Sequence, residues 1–174
     1  MAAGFARSKV LTGAAATAAA VRSELPRHRM LHFATHGVLS ESAPMLSSLL
    51  LADGEALTVD ELMGLRLNAD LVVLSACNTG VGKESAGNDV LGFTRGLLIA
   101  GARSAIVSLW PVNDAATRLL MEHFSAELRR GQTSAAALRS AQLALRGMAV
   151  PGTGGVPSPD YRHPHYWAAF VLVG

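Results

Sequence analysis

A nucleophile and a base able to serve it are both present in this chain, each where a run of strand-forming residues gives out. His36 closes Leu31-His32-Phe33-Ala34-Thr35-His36-Gly37. Cys77, the single cysteine, closes Leu71-Val72-Val73-Leu74-Ser75-Ala76-Cys77-Asn78-Thr79-Gly80. In an open parallel sheet, the carboxyl ends of strands are where ligands bind and chemistry is done. A thiolate is a strong nucleophile, and a histidine can take the proton of the thiol to form it and deliver one to a leaving amine. Paired, the two would transfer an acyl group from an amide to Cys77. The developing oxyanion needs fixed donors. The backbone N–H groups of Gly37 and Cys77 are the candidates, since a glycine lets substrate approach the main chain. His36 and Cys77 are far apart in sequence, so only the fold can join them. A lone cysteine in an apolar strand is often an inert core residue. Its position after the strand rather than within it favours the reactive reading.

Rival chemistries fit less well. His32 and His36 would share one strand face, and Cys77, His163 and His165 could complete a metal site. However, His-Phe-Ala-Thr-His lacks the glutamate of the zinc-protease helix motif and sits in a strand pattern. No metal or other cofactor is expected, and His32 reads as a core or supporting histidine. Gly80-Val81-Gly82-Lys83-Glu84 imitates a phosphate loop, but Cys77 stands where its first glycine should be, and Glu84 where Ser or Thr should be.

The elements that must position these residues follow from punctuation and periodicity. A short strand is expected over Lys9 to Leu11, then a helix over about Ala14 to Leu25, stopped by Pro26. A strand follows over Arg29 to Thr35. Gly37 to Gly54 is polar and turn-rich and reads as loop. Thr58 with Glu61 three residues on forms a capping box for a short helix. Asp70 to Ala76 is nearly all apolar, as in a strand covered on both faces. A loop over Asn78 to Asn88 leads to a helix over Asp89 to Ala100, ended by Gly101. Ser104 to Trp110 is a strand closed by Pro111. Asn113 or Asp114 caps a helix over Ala115 to Arg130, and Ser134 to Arg146 forms another. Met148 to Pro159 is Gly/Pro-rich and reads as a mobile loop. Ala169 to Val173 is the last strand. Strands alternating with helices give an α/β layered sheet with right-handed crossovers.

Composition narrows the function. A chain of 174 residues holds one domain with a real core. Charged residues make up only 16%, which hints at surface covered in a longer protein or complex. With a net charge of +2, no Lys/Arg run and few aromatics, direct nucleic-acid binding has little support. The Ala-rich start lacks the Leu/Ile/Val centre of a signal peptide, and no run is long and apolar enough for a membrane span. A cytoplasmic location is the default reading. A single cysteine excludes an internal disulfide framework.

The ordered set of motifs is more specific than any one of them. His32-Phe33-Ala34-Thr35-His36-Gly37 and Leu74-Ser75-Ala76-Cys77-Asn78-Thr79-Gly80 resemble the two signatures of the CHAT family, caspase-like domains often found with tetratricopeptide repeats. Gly92-Phe93-Thr94-Arg95-Gly96, Ala100-Gly101-Ala102-Arg103-Ser104, Val107-Ser108-Leu109-Trp110-Pro111-Val112 and the stretch from His165 to Gly174 continue the likeness, which runs from about Val10 onward. The resemblance implies a caspase-like three-layer α/β sandwich with a mostly parallel central sheet. It implies a cysteine endopeptidase with His36 and Cys77 as catalytic pair and the Gly37 and Cys77 amides as oxyanion hole. It also implies a regulated protease of bacterial signalling or defence, acting on a protein or peptide. A sensor, activator or tetratricopeptide-repeat region would switch it on. The alternative is a non-catalytic interaction or scaffold module. Family members carry a further strand upstream of the part matching Val10. The expectation is therefore one domain over residues 1–174, short of an N-terminal strand, with an apolar sheet edge left open. By the same likeness, Ser75, two residues before Cys77, helps shape the first specificity pocket. Asp114, just beyond Trp110 and Pro111, is either a receptor for a basic substrate side chain or a helix cap. Trp110, Tyr166 and Trp167 are candidates to line the cleft.

Overall fold

The computed structural model describes residues 5, 7–38, 40, 42–75, 77–78, 86–148 and 160–174, and for residues 77–78 and 86–91 the backbone only. The Gly80–Glu84 loop and the Gly/Pro-rich loop beyond Met148 lie outside the described residues. Contacts divide the chain into two compact units, residues 10–111 with 171–174, and residues 1–9 with 112–170.

The first unit is built on sheets. Residues 8–12 form no strand, in contrast to the expectation for Lys9 to Leu11. Leu11 packs on the core, Val10 is 60% exposed, and among the described residues no strand pairs with them. Helix α1 (Ala18–Glu24) starts later than its alanines suggest, because the Thr17 side chain accepts the Ala20 N–H and fixes the first turn. Strand β1 (Met30–Phe33) is followed by three short strands, β2 (His36–Val38), β3 (Ser48–Leu50) and β4 (Ala56–Thr58). Helix α2 (Val59–Gly64) follows at once. Then come β5 (Leu71–Leu74), β6 (Cys77–Asn78), α3 (Ala86–Ile99) and β7 (Ala105–Ser108). Strand β8 (Phe170–Val173) completes the set.

The main sheet has the order β1-β5-β7-β8, and its β1–β5 and β5–β7 pairs are parallel. The α/β class with a mostly parallel sheet is as expected. Every residue of β5 and β7 is buried, as a near-continuous apolar run predicts. Leu31, Val72, Leu74 and Val107 form one core with Val21 of α1, Leu25 just beyond that helix, Val59 and Leu62 of α2, and Phe93 and Leu97 of α3. Each such aliphatic side chain contributes about 1.5–3 kcal/mol on full burial.

A second sheet, ordered β4-β3-β2-β6, is the main departure from the expected fold. It occupies part of the stretch from Gly37 to Gly54 read as loop, and it divides each of the two long strands. Its outer three strands are antiparallel, with Leu49 opposite Leu57 and both fully buried in the same core. Strands of three residues are too short to show an alternating pattern among serines and prolines.

The second unit contains α4 (Asp114–Arg129), α5 (Ser134–Arg146) and α6 (Pro164–Trp167). The first two pack together as a helical hairpin. Helix α4 buries Leu120, Met121 and Phe124, and α5 buries Ala137, Leu138, Ala141 and Leu145. Trp167 ends α6, because Pro164 starts a helical turn capped by His163.

Two local devices fix the joins around α2 and α3. The Thr58 side chain accepts the Glu61 N–H at 3.1 Å while the Glu61 carboxylate accepts the Thr58 N–H at 3.0 Å. The Thr58 N–H, with Arg22 close by, holds the Glu61 carboxyl below its usual pKa. Gly101 takes φ +108° after α3, and a Cβ there would lie 2.6 Å from the Leu67 carbonyl oxygen. Thr58→Ala is expected to cost about 1 kcal/mol. Gly101→Ala should cost more, about 2 kcal/mol, through backbone strain and that close approach. Urea denaturation of the two variants checks both the sizes and their order.

Candidate active site

Both candidate residues lie where the backbone passes from one sheet to the other. The chain leaves β1 at Phe33 and enters β2 at His36. It leaves β5 at Leu74 and enters β6 at Cys77. The strands that are parallel neighbours in the main sheet are parallel neighbours again in the second. Phe33 pairs with Leu74 before the switch, and His36 pairs with Cys77 after it. The offset between partners does not change, so the two segments cross in step. Neighbouring strands run about 4.8 Å apart, and that spacing separates the backbone of His36 from that of Cys77.

The core fixes which way β2 faces. Gly37 is buried, whereas His36 and Val38 on either side are exposed. Gly37 pairs with Leu49, whose side chain is fully buried, so His36 belongs to the opposite, open face. One step along the same ladder sets Leu50 across from His36. The Thr35 hydroxyl donates to the Leu50 carbonyl oxygen at 2.6 Å and pins the link between β1 and β2.

His32 does not share a strand with His36, as the sequence suggested, because the sheet switch separates them. Its Nε2 and the Ser75 Oγ are joined by a hydrogen bond of 2.9 Å. This bond ties the ends of β1 and β5 together just before the switch. His32 is exposed on its strand, and the protein around the ring removes enough of its hydration to lower its pKa from 6.5 to about 4. It is therefore neutral at physiological pH. Ser75 is itself buried, so its described partner is a supporting histidine.

The remaining sequence candidates have the following positions. Trp110 is half-buried just beyond β7. Asp114 is exposed and opens α4, in the other compact unit. The cap of that helix is Asn113, whose Oδ1 accepts the Ala116 N–H at 3.0 Å. Asp114 faces the positive end of the helix, which suits its charge. The Trp167 indole N–H donates to the Arg162 carbonyl oxygen at 3.1 Å, and Arg146 lies over its ring. Tyr166 packs edge-on against Tyr161. Among the described residues, no three His, Cys, Asp or Glu side chains gather around a possible metal position. Sequence reasoning missed Leu50 and Val38, because it did not find β3. The available signal was the set of apolar residues in that stretch, Val38-Leu39, Met45-Leu46 and Leu49-Leu50-Leu51.

Comparison with known proteins gives this geometry a family. The model of the CHAT domain matches residues 1–174. Mouse tetratricopeptide repeat protein 28 is 34% identical over 118 residues, taking in 68% of this chain and 4% of the mouse protein. Human tetratricopeptide repeat protein 28 is 29% identical over 201 residues, taking in 94% of this chain and 8% of the human protein. The chain thus spans less than a tenth of the length of either relative. Both are mammalian proteins, whereas the resemblance implied a bacterial setting. No described helix is long and apolar enough to cross a membrane. The match along the whole chain, together with a mostly parallel α/β sheet, means that this chain belongs to the CHAT family.

Proposed function

We propose that this CHAT domain is a cysteine endopeptidase acting through His36 and Cys77. The pairing of these two residues across adjacent parallel strands is the observation that carries the reading. His36 accepts the thiol proton as Sγ of Cys77 attacks the scissile carbonyl carbon. The backbone N–H groups of Gly37 and Cys77 are the proposed oxyanion donors. As the tetrahedral intermediate collapses, the C–N bond breaks and His36 gives its proton to the leaving amine. Water, deprotonated by His36, then hydrolyses the thioester and restores the thiol. The substrate is a protein or peptide, and Ser75 and Trp110 are proposed to bound its binding cleft. Both relatives are named for tetratricopeptide repeats, which supports a repeat region as the regulatory partner.

A second reading is a scaffold module with an idle pair of residues. It is favoured by the same names, which describe repeats and no catalysis. The two readings differ in the state of the thiol.

Labelling with peptidyl acyloxymethyl ketones varied at the residue before the scissile bond tests this directly, with intact mass as the readout. A single rapid adduct on Cys77, slowed at least about 100-fold in His36→Ala, is expected from general-base assistance. Absence of labelling in folded protein, alone and with a repeat region supplied, would favour the scaffold. A separate expectation concerns His32. Its folded pKa lies below its unfolded value, so the unfolded chain binds the proton first as pH falls. Stability from this group is complete above about pH 6.5 and is lost towards pH 4. His32→Gln should therefore flatten the fall of Tm between pH 7 and pH 4.5. A parallel fall in both proteins would overturn that assignment.

A further inference from the structure

The order of residues across the second sheet gives the proposed cleft a direction. From β6 outward, one row runs Cys77, His36, Leu50 and Ala56, the last two paired in the β3–β4 ladder. Leu50 is 36% exposed and Val38, two residues along β2 from His36, is 43% exposed. Both are large apolar side chains on the open face; Val38 pairs with Ser48 and Leu50 stands across from His36, so the two are diagonal neighbours about 7–8 Å apart, within reach of one bound side chain. The paired positions of β2, β3 and β4 on this face hold no charged side chain: Val38, Ser48, Leu50, Ala56 and Thr58 are all neutral.

A histidine that protonates the leaving amine must stand on the leaving-group side of the scissile bond. Whatever lies beyond it, as seen from the nucleophile, meets the substrate residues that follow that bond. We propose that Leu50 and Val38 form an apolar subsite for the side chain of the first residue after the cleavage point, selecting Leu- or Val-like residues over charged ones. This rests on the peptidase reading and adds its leaving-group specificity. Desolvating two exposed apolar side chains by contact with a third favours binding, whereas a carboxylate or ammonium brought to the same surface would lose hydration without a partner.

The subsite is read by running the acylation backwards. A peptidyl thioester loads Cys77 with its acyl group, and added amino-acid amides compete with water for the acyl-enzyme. The amine nitrogen attacks the thioester carbon, its proton passes through His36 to the departing Sγ, and an amide bond forms. The probes are leucinamide, valinamide, glycinamide, aspartamide and lysinamide. Capture by leucinamide and valinamide is expected to exceed that by aspartamide and lysinamide about tenfold, within the range one apolar contact supplies. Leu50→Asp should invert the leucinamide-to-lysinamide ratio, and the milder Leu50→Thr should level it, with circular dichroism establishing that each is folded. Equal capture of all five amides by the unaltered protein, or ratios unmoved in both variants, would overturn the subsite while leaving the peptidase standing. An unaltered protein that, alone and with a repeat region supplied, takes neither the thioester nor a peptidyl chloromethyl ketone on Cys77 would overturn the peptidase reading and the subsite with it.

Discussion

The parallel register between β1 and β5, carried unbroken into β2 and β6, is the constraint on which the rest depends. Side chains alternate along a strand with period two, so a slip of one residue exchanges inward and outward sets. At β1, where buried Leu31 is followed by exposed His32, such a slip would take Leu31 out of the core and turn His32 into it. The same slip would move His36 away from Cys77. The hydrophobic energy that fixes the main sheet therefore also fixes the candidate chemistry, and no separate device is needed to bring the two residues together. The His32–Ser75 and Thr35–Leu50 hydrogen bonds guard the switch itself, where the ladder of the main sheet has ended.

The second sheet is held from behind. Three-residue strands have little stability alone. Leu49 and Leu57 anchor β3 and β4 in the core, and the capping box turns β4 straight into α2, whose Val59 and Leu62 enter that core as well. His36 consequently rides on a strand with pairing partners on both sides. A group placed this way is more precisely oriented than one on a free loop. Gly37 faces inward, so the open face begins at His36 itself.

Much of this was legible in the sequence where the determining interactions are local. Leu71 to Leu74 read as a strand covered on both faces because its apolar run is unbroken. Thr58 with Glu61 marked a helix start because both partners lie within one turn. The ends of the two apolar runs correctly pointed to His36 and Cys77 as neighbours. The switch between sheets was not legible, since Ala34 and Thr35 carry no glycine or proline to announce it. Nor was β3, because its pairing to β2 and β4 is specified by tertiary burial of Leu49 rather than by any pattern in Ser48-Leu49-Leu50. The choice between Asn113 and Asp114 as cap stayed open for a different reason: both residue types cap well, and only the position of the first turn decides. Lys9 to Leu11 misled because a strand forms only where another strand pairs with it, and among the described residues none does.

Two histidines four residues apart on one segment show how environment assigns roles. His32, at the end of the main sheet, is bonded to a buried serine and loses enough hydration to stay neutral down to about pH 4. A group with so low a pKa is a poor proton carrier near neutral pH, because its protonated form is scarcely populated. It suits a structural tie between strand ends. His36, past the switch, stands on an exposed face beside the strand that carries Cys77. That face is open to a substrate, which is what the proposed proton transfers of His36 require. Had the strand run straight on in the main sheet, His36 would have continued the strand that His32 helps tie down. The break after Phe33 makes one a fixture and leaves the other free for the proposed chemistry.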